Sequence, residues 1–109
     1  MPHFMIQAAY TPEALAALTR NPQNRAEAIR PVIEAMGGRL ESFWYCFGDY
    51  DAVAIIELPD NTSAAAFSFV GSAGGGIRTI KTTPLMSVED AMEAFKKAST
   101  ASYQPPGSR

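Results

Sequence analysis

"FWYCFGDYDAVAIIELP", Phe43 to Pro59, places two apolar runs on either side of Gly48-Asp49-Tyr50-Asp51. Aromatic and branched aliphatic residues flanking a Gly/Asp cluster form the pattern of two antiparallel strands joined by a short connection. The reading is a strand over Arg39–Phe47 and another over Ala52–Leu58. Glycine supplies unusual dihedrals and Asp bonds nearby backbone, so the loop acts first as the punctuation that fixes strand register. A functional role is the second reading. Tyr50 is then a donor or acid and Asp51 a base at a pocket mouth, with Asp49 placed to meet a ligand.

Working outward, His3–Tyr10 alternates Phe4, Ile6, Ala8 and Tyr10 against Met5, Gln7 and Ala9, a strand period. Thr11-Pro12-Glu13 then starts a helix: Thr caps, Pro suits the first turn and Glu favours the positive end. That helix stops at Asn21-Pro22, where a second begins, with Ala26, Ile29, Val32, Ile33 and Met36 on one face. Pro31 lies inside it, which predicts a kink or restart near Glu27. Gly37-Gly38 ends it. After Pro59-Asp60-Asn61-Thr62 comes the small-residue helix "SAAAFSFVGSA", then the strand "IRTIKTTPLM", and a final helix from Ser87 to Ala98. That last helix carries Val88, Ala91, Met92 and Phe95 as an apolar stripe. A polar, mobile tail is expected from 99 to 109.

The order βαββαβ predicts an α+β, ferredoxin-like fold over 1–98: a four-stranded antiparallel sheet with helices on one face, plus a C-terminal helix. Such a sheet should be apolar on one side only. In Ala52–Leu58, however, Ala52, Ala54, Ile56 and Leu58 oppose Val53 and Ile55. In Arg39–Phe47, strict alternation sets Leu40, Trp44 and Cys46 against Phe43, Tyr45 and Phe47. Five large side chains left wet would forgo about 10 kcal/mol of burial, comparable with the whole stability of a small domain. The expected solution is a two-fold homodimer joined sheet to sheet.

Composition narrows the function classes. The 109 residues are 47% apolar and 18% charged, with a formal net charge of −2. A chain of this size forms one domain, and its charge gives no field for nucleic acid or an anionic membrane. Neither partner is expected. The single cysteine, Cys46, excludes an internal disulfide, and "MPHFMIQAAY" lacks the pattern of a secretion signal. A cytoplasmic protein is expected.

"MPHFMIQAAYTPE", "EAMGGRLESFWYCFGDYDAVAIIELPD", "AAAFSF" and "GGGIRTIKTTPLMS" resemble the GYD-domain family, named for a Gly-x-Tyr-Asp signature that falls here on Gly48, Tyr50 and Asp51. The resemblance implies a ferredoxin-like dimeric α/β barrel. It implies little about activity, since the wider superfamily holds monooxygenases, cyclases, isomerases and ligand-sensing domains, and fold alone does not choose among them.

Two functional classes follow. The first is a homo-oligomer that binds a small, partly aromatic metabolite, with Tyr10, Trp44, Asp49 and Arg78 as ligand-binding residues. The alternative is a cofactor-free isomerase, cyclase or monooxygenase on an aromatic or enolisable substrate, with His3, Tyr50 and Asp51 as its catalytic groups. His3 is the only histidine and titrates near neutrality; in some enzymes of the wider superfamily a strand-borne histidine is the acid/base. Arg78, like Arg39 and Lys81, suits a carboxylate or phosphate. One His and one Cys give no metal-ligand spacing, so neither a metal nor another cofactor is expected. Gly74-Gly75-Gly76 follows a helix and precedes a strand, the reverse of a phosphate-binding loop.

Overall fold

The structure, a computed structural model, describes residues 1–107. Its elements run β1 (His3–Tyr10), α1 (Pro12–Arg20), α2 (Arg25–Ala35), β2 (Arg39–Tyr45), β3 (Ala52–Glu57), α3 (Asn61–Ala73), β4 (Ile77–Leu85) and α4 (Val88–Ala98). The four strands make one antiparallel sheet in the order β2-β3-β1-β4. This is the expected α+β, ferredoxin-like arrangement.

Each helix start has a side-chain cap. Thr11 accepts the Ala14 N–H at 3.1 Å, Asp60 the Ser63 N–H at 2.8 Å and Ser87 the Asp90 N–H at 3.0 Å. The second helix begins at Arg25 rather than Pro22, because the Asn24 side chain takes the Glu27 N–H. It runs continuously through Pro31 instead of restarting near Glu27. Proline there deprives the Glu27 carbonyl of its donor, and Glu27 is exposed, so water can take the place of that donor. The same helix ends in a Schellman motif: Gly37 N–H bonds Glu34 O and Gly38 N–H bonds Ile33 O, each at 3.0 Å, with Gly37 at φ +81°.

One face of the sheet packs on the helices. Phe4 and Ile6 of β1, Leu40 of β2 and Ala54 and Ile56 of β3 form the core with Ile33 of α2 and Ala64 and Phe67 of α3. Strict alternation fails in β2, where the pairing slips between Leu40 and Ser42. A bulge puts two residues opposite one. Leu40 therefore faces Ile56, while Phe43 and Tyr45 pair with Ala54 and Ala52 on that same helix-covered side. Their rings meet edge to face at 5.2 Å between centroids. Trp44 goes to the open side with Val53, and Cys46 and Phe47 fall beyond the strand. The open face thus carries Met5, Trp44, Val53, Ile55 and Leu85 among His3, Gln7, Arg39, Glu41, Glu57 and Lys81.

Helix α4 stands apart from the body of the chain. It has no buried residue, and Val88, Met92 and Phe95 are exposed although they form its apolar stripe. The radius of gyration is 17.6 Å, against about 13 Å for a compact chain of this length. The mobile tail expected from Ser99 onward is exposed as far as Gly107, and Ser108 and Arg109 lie outside the described residues. No described helix is long and apolar enough to cross a membrane.

Candidate functional site

Between the helix-covered face of the sheet and helices α1, α2 and α3 lies a cavity of about 400 Å³, within the range of small-molecule sites. Its origin is compositional. Ala8, Ala52 and Ala54 on the strands face Ala14, Ala17 and Gly71 on the helices, so both walls end at Cβ or short of it. Larger apolar groups, among them Ile29, Phe43 and Phe67, close the remainder.

Polar groups gather at one end of this cavity, where β1 finishes and α2 begins. Tyr10, Gln23 and Arg25 line it, and Tyr45 lies alongside. The Tyr45 hydroxyl donates to Gln23 O at 2.8 Å and accepts the Arg25 N–H at 3.1 Å, which fixes the α1–α2 connection over the end of β2. The Arg25 guanidinium donates to Gln23 Oε1 at 3.2 Å. Burial pushes the Tyr10 phenol above its ordinary pKa and the neighbouring Tyr45 adds to this, while the Arg25 guanidinium opposes it. Tyr10 is therefore a neutral hydrogen-bond donor beside a cation.

The raised pKa makes a prediction. Between the ordinary tyrosine value and the raised one, the folded chain binds more protons than the unfolded chain, so this contribution to stability is lost as pH rises beyond about 10. Ultraviolet titration of the native protein is expected to show a phenol ionising above the ordinary tyrosine value. Tyr10→Phe should remove that late step, and a titration unchanged by the substitution would contradict the assignment.

The Gly48–Asp51 loop lies outside the cavity, next to its Tyr10 end. Gly48 sits at φ +125°, a conformation that favours glycine. The Asp51 carboxylate accepts the Tyr10 N–H at 2.9 Å, its own N–H donates to Ala8 O and its carbonyl accepts the Cys46 N–H, each at 2.8 Å. Asp51 thus staples the end of β1 to the β2–β3 hairpin, next to Tyr10. A shallower cleft outside the cavity shares Tyr10 and Gln23 and reaches Asp51, Cys46 and Phe47.

A family model described as the GYD domain matches residues 4–95. The chain belongs to the GYD-domain family. No curated protein matches it. In this GYD domain the signature residues are placed by the contacts above: Gly48 permits the turn and Asp51 locks the hairpin to β1.

The other residues singled out in the sequence are dispersed. His3 lies at the opposite end of β1 from Tyr10, about 23 Å along the strand. It faces Glu41 and Glu57 on the open side of the sheet. Trp44 is on that open side too. Tyr50, Asp49 and Arg78 are not among the residues lining the cavity; Asp49 and Arg78 are exposed. The structure therefore joins Tyr10 to Asp51, and of the residues singled out in the sequence Tyr10 alone lines the cavity, while His3, Tyr50, Asp51, Trp44, Asp49 and Arg78 do not.

Arg25, Gln23 and Tyr45 complete the polar end. One local signal pointed to Arg25: a cation in the first turn of a helix opposes the helix dipole, an unfavourable placement.

Proposed function

We propose that this GYD domain works as a sheet-to-sheet homodimer whose subunits each bind a small, largely apolar, partly aromatic metabolite carrying an acidic oxygen. The observation that carries the reading is the cavity, apolar along its length and polar only where Arg25 and Tyr10 converge. A planar hydrocarbon body fits walls made of Ala, Gly and Phe, while a carboxylate or enolate oxygen meets a guanidinium and a phenol. His3 and Tyr50 do not line that cavity, so binding is favoured over the catalytic use of those two residues.

Two features support the second copy. The open sheet face groups Met5, Val53 and Ile55 beside an exposed Trp44, and α4 holds its apolar stripe away from its own chain. Surfaces of this kind are typically interaction sites.

Native mass spectrometry of the purified protein tests both halves. The expected spectrum is a dimer, with thermal shifts on adding small aromatic carboxylic acids. Arg25→Met removes a charge-assisted hydrogen bond worth about 1.5–3 kcal/mol, so affinity for the acids should fall about 10- to 100-fold. A monomer at micromolar concentration overturns the assembly. A dimer whose acid binding is indifferent to Arg25→Met overturns the site.

A further inference from the structure

The corner of the sheet farthest from the cavity carries a different chemistry. His3 opens β1 and pairs in register with Glu57 at the end of β3, which in turn pairs with Arg39 at the start of β2. Glu41 joins them by alternation: it follows the core residue Leu40, so its side chain takes the open face, beside His3 and Arg39.

The two carboxylates divide their oxygens. His3 Nε2 lies 3.4 Å from Glu41 Oε2 and 3.9 Å from Glu57 Oε1. The remaining oxygens turn to one guanidinium: Arg39 pairs with Glu57 Oε2 and stands 3.7 Å from Glu41 Oε1. One imidazole nitrogen and one oxygen from each carboxylate thus converge within 4.8 Å of one another, and the outer oxygens are held by a neighbouring cation. The Glu57 side chain is only 12% exposed, so its charge is partly removed from water. With His3 neutral, two carboxylates and one guanidinium leave a net charge of −1, which favours a further cation.

We infer that His3, Glu41 and Glu57 form a binding site for a divalent cation of the zinc type, oriented from outside by Arg39. Zinc takes imidazole nitrogen and carboxylate oxygen at about 2.0–2.2 Å. In a tetrahedral site those bonds put neighbouring donors about 3.3–3.5 Å apart, so the 3.4 Å pair already fits. The 3.9 Å pair needs about half an ångström of glutamate movement. Arg39 plays the part of the outer partner that fixes a ligating carboxylate. Water completes the coordination, and all three protein ligands come from one chain. The site is separate from the cavity and does not depend on what the cavity binds.

The test uses the full chain and zinc chloride in a non-chelating buffer. Because His3 is the only histidine, its imidazole signals in an NMR spectrum need no variant for assignment. The expected result is one Zn²⁺ per chain with a micromolar dissociation constant, and His3 signals that shift until one equivalent is reached. Glu41→Gln preserves size and removes the anionic ligand, so calorimetric affinity should fall at least tenfold while circular dichroism reports an unchanged fold. Cys46→Ser, remote from the cluster, should bind as the wild type does. Stationary His3 signals at one equivalent of zinc would overturn the site and leave an ion-pair cluster only. So would a Glu41→Gln protein that binds zinc as tightly as wild type.

Discussion

Gly38→Ala is expected to destabilise the protein by about 3 kcal/mol, at the upper end of overpacking penalties. A methyl group at this position overlaps the Glu57 carbonyl oxygen, approaches Leu58 Cδ2 to 2.6 Å and Ile33 Cγ2 to 3.2 Å. Leu58 and Ile33 are fully buried, and the Glu57 carbonyl is backbone, so the obstruction cannot swing away as a surface side chain would. Gly38 also donates to Ile33 O, so moving it breaks the Schellman motif that ends α2. Thermal unfolding should shift down by about 10–20 °C. Two glycines calibrate the effect. Gly75, at φ +81° with open space where a Cβ would stand, reports the left-handed backbone cost alone, about 1–2 kcal/mol. Gly37 has the same φ and adds a contact with Pro59 at 3.3 Å. A Gly38→Ala protein that melts above Gly75→Ala would show that close helix–strand contact is not the reason for glycine there.

If the proposed sheet-to-sheet dimer forms, Ile55→Lys is expected to leave a folded monomer. Ile55 lies on the open face, opposite Met5 on one side and Ser42 on the other. Its loss from an interface removes about 1.5–3 kcal/mol of burial per chain. Two-fold symmetry places the change in both subunits, so roughly 3–6 kcal/mol is lost, two to four orders of magnitude in the dimer dissociation constant. The lysine charges add repulsion to that figure. Ala54 and Ile56, the neighbours that hold the core, point to the other face and are untouched. Sedimentation velocity should therefore record a single folded chain for Ile55→Lys at concentrations where the proposal expects the wild type to be paired. An Ile55→Lys protein that sediments as wild type would place any interface elsewhere.

The strands, helices and their order were legible because each rests on local signals. Period-two alternation marked β1, Thr11 announced the helix it caps, and the turn at Pro59-Asp60-Asn61-Thr62 and the apolar stripe of the last helix marked the other two. Gly37-Gly38 announced a stop for the same reason. The errors arose where two local rules compete. Asn24 outcompeted Pro22 for the start of α2, since a side chain that satisfies an orphan N–H outweighs a residue that merely tolerates the position. The bulge in β2 reversed the faces assigned to Trp44, Phe43 and Tyr45, because alternation cannot be read through an inserted residue.

The candidate sites were legible only in fragments. Tyr10 stood out as an aromatic residue on a strand, yet its partner Arg25 carries no motif and meets it only after α2 is laid across the sheet. His3, Glu41 and Glu57 have no ligand spacing along the chain, and antiparallel register is what assembles them.

By itself the amino-acid sequence determined the fold class, the βαββαβ order, the Thr11 cap and membership of the GYD-domain family, all of which depend on neighbours a few residues apart. The tertiary structure decided which face each β2 side chain takes, where small residues on opposing layers leave a cavity, and which charges converge on the sheet corner. Those outcomes depend on strand register and helix placement, set by packing across the whole chain, and no window of neighbouring residues encodes them.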